Sequence, residues 1–291
     1  MKTIVLALDA LELTLIDLWR LDEFKQKNFG SYEVVGLEAL STPICFSAIL
    51  TGKNPSTYGY TLSYLTQNLE QGYPAWLRPL VWARKRFLRS FKSFGLRRKA
   101  RAIGLFETRS RNMTEDLKNL TILRKLESEG YTVRTDNVPS YDEDAQANFR
   151  GRMFHLIGKG FEEREEHVEE LLGATRERWL SNLKALDSHD LTFVYSPLPD
   201  IAHHLVHHET ELMMLERVYR YLMDLPMLFD LKDVAVLILS DHGYLHEFDE
   251  TGKDISAEHS HTGFWSLNVD IEVEPTTIFD FSDLIYHLVT Q

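Results

Sequence analysis

Six short apolar runs, rich in β-branched residues and separated by longer segments with helical spacing, constrain this chain to an alternating α/β architecture. The runs are TIVLAL (3–8), YEVVGL (32–37), YTVRTDNV (131–138), LTFVYS (191–196), VAVLIL (234–239) and FWSLNV (264–269). Between them, apolar residues recur with a 3.6-residue period over 115–129, 161–187 and 208–229. A strand such as VAVLIL is apolar at every position, so it must be covered on both faces, and helices on either side of one sheet provide that cover. The expectation is a three-layer α/β/α sandwich with a mostly parallel central sheet, formed by one domain over 1–291.

Composition narrows the function. The formal net charge of −12 argues against a general nucleic-acid binder. Cys45 is the single cysteine, so an internal disulfide and a cysteine-based zinc site are both excluded. Asp9 interrupts the N-terminal apolar run and no small-residue cleavage site follows, which speaks against a secretory signal. No apolar stretch approaches the ~20 residues of a membrane span. A soluble, cytoplasmic protein is expected. One segment breaks the alternation: 62–110 reads as a basic, helical insertion or cap. Within it, residues 71–106 hold ten Lys and Arg and no acid, leaving 22 basic against 44 acidic residues elsewhere.

The strand ends carry the chemistry. Asp9 closes TIVLALD, Asp200 closes LTFVYSPLPD, and Asp241 closes VAVLILSD with His242 and Gly243 directly behind. Strand C-termini of a parallel sheet share one edge, and ligands bind in the crevice beside it. Carboxylates converging there repel one another unless a cation sits among them. Eight of the twelve histidines fall within 203–261. Asp200 and His204, four residues apart, would point from one face of a helix. Carboxylates and imidazoles without thiolates suit zinc or manganese, and their number exceeds a single coordination shell, which suggests two ions. Singly, His203, His207, His208 and His246 read as surface or hydrogen-bonded residues, and His204 with His208 could form a separate zinc site. The stretch STPICFSAILTGKNP (41–55) places the Ser41 and Thr42 hydroxyls at the mouth of a helical run, where unpaired N–H groups favour an anion such as phosphate. Coordination to a metal would make such a hydroxyl a nucleophile at neutral pH. Asp9 and Thr42 taken alone also read as plain helix caps.

Together these stretches resemble the alkaline phosphatase superfamily, in particular its type I phosphodiesterase and nucleotide pyrophosphatase branch. The resemblance spans nearly the whole chain outside the basic insertion. The early VLALD carries Asp9, and Thr42 precedes the Thr51-Gly52 pair by nine residues. LESEGYTVRTDNVPS (126–140), PDIAHH with Asp200 and His204, Ser-Asp-His-Gly at 240–243, and HSHTGFW with His259 and Gly263 follow in the family's order. The resemblance implies that Asp9, Thr42, Asp241 and His242 bind one ion and that Asp200, His204 and His259 bind the other, with His261 as the alternative to His259. It further implies that Thr42 is the catalytic nucleophile of a phosphodiesterase or phosphatase working through a phosphothreonine intermediate. Two divalent ions are the implied cofactors, zinc first and manganese second. Gly243 is expected to let the chain turn tightly behind the ligands.

Two departures stand out. Cys45 occupies a position where nucleotide pyrophosphatases carry an Asn, which leaves monoester and diester substrates both open, and Tyr58 stands where the family usually has His. Two other readings are a phosphoglycerate-mutase-like phosphotransferase and a non-catalytic protein that recruits anionic partners through its basic helix. In the enzyme reading, Arg84, Arg86 and Arg89 of the insertion are the candidates for contacting a small anionic phosphoester. The same segment also reads as an interfacial helix making peripheral membrane contact through 76–101, with Trp76 and Trp82 on its apolar side, or as a helix packed on the acidic body. The acidic stretch 161–173 reads as a solvated face.

Overall fold

The structure, a computed structural model, describes residues 1–65, 112–143, 153, 156–224, 231, 233–256 and 258–291. Apart from 62–65, the basic insertion lies outside the described residues, and Arg84, Arg86 and Arg89 lie there with it. Six strands build the central sheet: β1 (Lys2–Leu8), β2 (Asn28–Glu33), β3 (Val133–Asp136), β4 (Leu191–Ser196), β5 (Val234–Leu239) and β8 (Thr262–Leu267). Their spatial order is β2-β8-β5-β1-β4-β3. β5, β1, β4 and β3 run parallel, while β8 runs against both of its neighbours. β6 (Gly243–Leu245) and β7 (Glu258–Ser260) form a separate antiparallel pair.

Helices close both faces, because the central strands have an apolar residue on each. In β1, Val5 and Ala7 point into one core and Ile4, Leu6 and Leu8 into the other. The first core is roofed by α2 (Thr42–Thr51), α3 (Glu115–Lys118), α4 (Ile122–Ser128) and α8 (Phe281–Thr290). The second packs under α1 (Leu13–Leu18), α5 (Phe161–Lys184), α6 (Leu198–Leu205) and α7 (Leu212–Asp224). This is the expected three-layer sandwich. Helix α5 buries Val168, Leu171, Leu172, Thr175, Trp179 and Leu183 at three- and four-residue intervals and turns Glu162, Glu163, Glu166, Glu169 and Glu170 outward, the solvated acidic face read from the sequence. Among the described residues, no helix is long and apolar enough to cross a membrane.

Several boundaries differ from expectation for local reasons. The second strand is 28–33, not 32–37: its first residues, NFGS, are half-exposed at the sheet edge and lack an apolar signature, and Gly36, at φ +78°, takes the chain away from the sheet. β3 stops at Asp136 because Asn137 adopts φ +62°. The helical pattern over 115–129 is two helices, since Thr121 caps a fresh start by accepting from the Arg124 amide. The β6–β7 pair was not visible in the pattern at all, and it supports part of the site.

Candidate active site

Each strand that leads to a candidate ligand opens onto one rim of the sheet. Asp9 follows β1, while Asp241 and His242 follow β5, and all three are completely buried. Asp200 lies in the first turn of α6, just past β4, and one helical turn brings His204 Nε2 to 3.3 Å from Asp200 Oδ1. Because β8 is antiparallel, its first residue lies at this same rim, and β7 just before it delivers His259. His259 Nε2 lies 3.4 Å from Asp200 Oδ1 and 3.3 Å from His204 Nε2. In the neighbouring group, His242 Nε2 is 3.5 Å from Asp9 Oδ1 and 3.4 Å from Asp241 Oδ2. The groups adjoin through the stacked rings of His242 and His259, whose centroids are 4.1 Å apart. Thr42, the first residue of α2, donates its hydroxyl to Asp9 Oδ2 at 3.3 Å.

The other readings of these residues separate cleanly. His261 faces away, with Nδ1 3.2 Å from the Val34 carbonyl. His208 cannot share a site with His204, because α6 ends at Leu205 and the His208 ring is held by Thr210 and the Thr251 carbonyl, both at 2.9 Å. The helix mouth is also less open than expected: the Ile44 and Cys45 amides donate to the Ser41 carbonyl at 2.7 and 2.9 Å, and Pro43 has no amide hydrogen. Gly243 does not work by a tight turn. A Cβ there would come within 1.9 Å of Glu12 Oε2 and 2.5 Å of Ser260 Oγ, so its role is to admit the Glu12 carboxylate.

Burial sets the protonation of the rim. Burial, reinforced by Asp9 alongside, pushes the Asp241 carboxyl well above the ordinary carboxylate range. Burial holds His242 below its usual value, against the pull of Asp9, so its imidazole is neutral and suited to coordination. Burial would lower His259 too, but the hydrogen bond and charge of Asp200 raise it. The Cys45 thiol, pushed well up by burial and then by Asp241 and Asp9, stays protonated and is no competitor for Thr42 as a nucleophile.

The residues present fit a divalent cation. Both carboxylate oxygens of Asp241 and Nε2 of His242 are buried without a hydrogen-bond partner among the described residues, an expensive arrangement unless a cation satisfies them. Asp200, His204 and His259 form one set whose ligand atoms lie within 4.8 Å of one another, and Asp9, Asp241 and His242 form a second. Nitrogen and oxygen ligands ~2.0–2.1 Å from a tetrahedral ion sit about 3.3–3.4 Å from each other. The separations of 3.3, 3.4 and 3.3 Å in the Asp200 group match that edge length.

Three supporting residues escaped sequence reasoning. Glu12 is buried, and its carboxylate accepts from the Tyr244 amide and the Ser260 hydroxyl, each at 3.2 Å, so it ties the loop after β1 to β6 and β7. Tyr195 on β4 donates its hydroxyl to Asp9 Oδ2. Tyr244 places its hydroxyl 3.1 Å from His204 Nδ1. No spacing rule marks a lone Glu or Tyr of this kind; only the Asx- and His-rich strand ends stand out in a sequence.

The family model for type I phosphodiesterase / nucleotide pyrophosphatase matches residues 4–262. The chain belongs to that family and is a hydrolase of phosphoric ester bonds. A search of curated proteins gives no match. Among solved structures, it is similar to murine ectonucleotide pyrophosphatase / phosphodiesterase 5 at 12% identity and TM-score 0.45, covering 100% of this chain and 95% of that one. It is also similar to the alkaline phosphatase of the Antarctic bacterium TAB5 at 12% identity and TM-score 0.41, covering 99% and 98%. Phosphonoacetate hydrolase from Sinorhizobium meliloti 1021 matches at 15% identity and TM-score 0.39, covering 86% of this chain and 58% of that one. All three TM-scores fall below 0.5, so the assignment rests on the family match and the fold on the sheet itself.

Proposed function

We propose that the protein cleaves a small phosphoester by phosphoryl transfer to Thr42, beside two divalent ions, zinc by preference. Asp9, Thr42, Asp241 and His242 would hold one ion, and Asp200, His204 and His259 the other. Bound there, the ions supply Lewis-acid stabilisation of phosphoryl charge and a lowered pKa for a coordinated hydroxyl. The observation that carries this reading is the adjacency of two Asp/His groups, joined through the stacked His242 and His259 rings, with the Thr42 hydroxyl on Asp9.

The residues of the chain divide the work. Asp9 accepts from the Thr42 hydroxyl and fixes where its oxygen lone pairs point. Thr42 releases its proton to solvent and attacks phosphorus, and the bond to the departing alkoxide breaks; that alkoxide takes a proton from solvent. Water then attacks the phosphorylated Thr42 from the opposite face, restoring its hydroxyl and freeing phosphate from a monoester or a phosphomonoester from a diester. The positive end of the α2 dipole faces the transferred group and favours its negative charge. The buried, apolar strands beneath the rim keep these groups from drifting. In the same reading, Arg84, Arg86 and Arg89 contact the anionic substrate, a role supported by ten basic residues concentrated in an otherwise acidic chain.

Thr42→Ala tests the nucleophile. Turnover of p-nitrophenyl phosphate and bis-p-nitrophenyl phosphate should fall by at least ~10³-fold while the protein remains folded by circular dichroism, a loss of the order produced when a nucleophile is removed. Activity retained within a few fold would defeat the assignment.

A further inference from the structure

We propose that Tyr244 is a positioning residue for His204, holding its imidazole in the tautomer that leaves Nε2 free to coordinate. The inference rests on the ligand role given to His204 above. His204 Nε2 faces Asp200 Oδ1 and His259 Nε2, both at 3.3 Å, so the coordinating nitrogen must be Nε2 and the ring proton must sit on Nδ1. Tyr244 Oη lies 3.1 Å from that Nδ1 and can accept its proton. Histidines that bind metals are generally oriented through the second ring nitrogen in this way. His242 solves the same problem with a backbone acceptor, the Gly243 carbonyl 3.2 Å from its Nδ1. His204 has a side chain instead, and so the device can be removed by mutation.

Tyr244 is itself held from several sides. Its amide donates to Glu12 Oε2 at 3.2 Å. Its ring stacks on His203 at a centroid separation of 4.6 Å with an interplanar angle of 15°. His203 is fixed at both nitrogens, by His246 Nε2 and Tyr219 Oη at 2.9 Å each, and His246 is anchored in turn by Asp254 at 2.5 Å. This chain of polar contacts gives His203 and His246 a supporting place beside the ligand groups. Its end product is a rigid hydroxyl beneath one of the two ligand groups.

The test is Tyr244→Phe, which removes one oxygen and keeps the ring. Zinc binding to metal-free wild type, Tyr244→Phe and His204→Ala is measured by competition with a chromophoric chelator. The expected result is two zinc ions in wild type, loss of one site in His204→Ala, and weakening of that same site by about 10–100-fold in Tyr244→Phe. Nitrogen-15 spectra of zinc-loaded, histidine-labelled wild type should show a proton on His204 Nδ1 that is protected from exchange, and Tyr244→Phe should lose that protection. Wild-type affinity at both sites in Tyr244→Phe overturns the inference, as does equal weakening of both sites, which would mean general loosening. Zinc binding in His204→Ala identical to wild type would instead refute the ligand role of His204 and remove the ground for the inference.

Discussion

At the residue scale, the rim trades stability for binding capacity. Asp241 is buried beside Asp9, and its carboxyl is held above the ordinary range by burial and then by that neighbour. A group whose folded pKa is raised favours the folded state below its unfolded value, and that advantage is lost as pH rises toward the folded value. Metal-free protein should therefore lose stability as pH climbs out of the acid range. Asp241→Asn should abolish that slope and make the chelated protein more stable at pH ~8, by on the order of 1–3 kcal/mol, while binding zinc more weakly. Urea denaturation in the presence of chelator, run across pH for both proteins, measures this; an unchanged slope in the variant would contradict it. Much of this rim can be read from the sequence, because Asp and His at the ends of apolar strands are costly without a reason. Glu12, Tyr195 and Tyr244 could not be read that way, since each acquires its role only from neighbours distant in the chain, such as the 232 residues separating Glu12 from Tyr244.

At the element scale, a buried ion pair braces the helices that frame the site. Arg164 of α5 makes a two-pronged pair with Glu211, both contacts at 2.7 Å, and also donates to the Leu205 carbonyl at the end of α6, the helix bearing Asp200 and His204. The Arg164 and Glu211 side chains are only 5% and 12% exposed, so breaking the pair leaves a buried guanidinium without its partner. Glu211→Gln should cost about 3–5 kcal/mol of folding stability. Burial would lift the Glu211 carboxyl, but Arg164 and the His207 amide bring it below its usual value. A depressed pKa contributes stability above the unfolded value that is lost as pH falls through the folded one. The acid limb of the wild-type stability curve should therefore flatten in Glu211→Gln, and guanidinium titrations between neutral and acid pH read that directly. The central strands were legible because they are apolar at every position. β2 was misplaced by four residues because its first residues, NFGS, are half-exposed at the sheet edge, and β6 and β7 were missed because three-residue strands carry no periodicity.

For the molecule as a whole, the sheet accounts for the site. Five strands point their C-terminal ends at one rim, and the single reversed strand, β8, brings its N-terminal end and the β7 histidine to the same place. Residues as distant in sequence as Asp9 and His242 thereby come within 3.5 Å of each other, with Thr42 presented by a helix packed on the opposite side from α6.

Whether this rim holds two divalent ions beside Thr42 is tested most directly in crystals of the chain soaked in zinc and measured at the zinc absorption edge. Two anomalous peaks are expected, one bounded by Asp9, Asp241 and His242 with Thr42 adjacent, the other by Asp200, His204 and His259. An empty rim, or zinc bound only elsewhere on the chain, would contradict the two-ion reading.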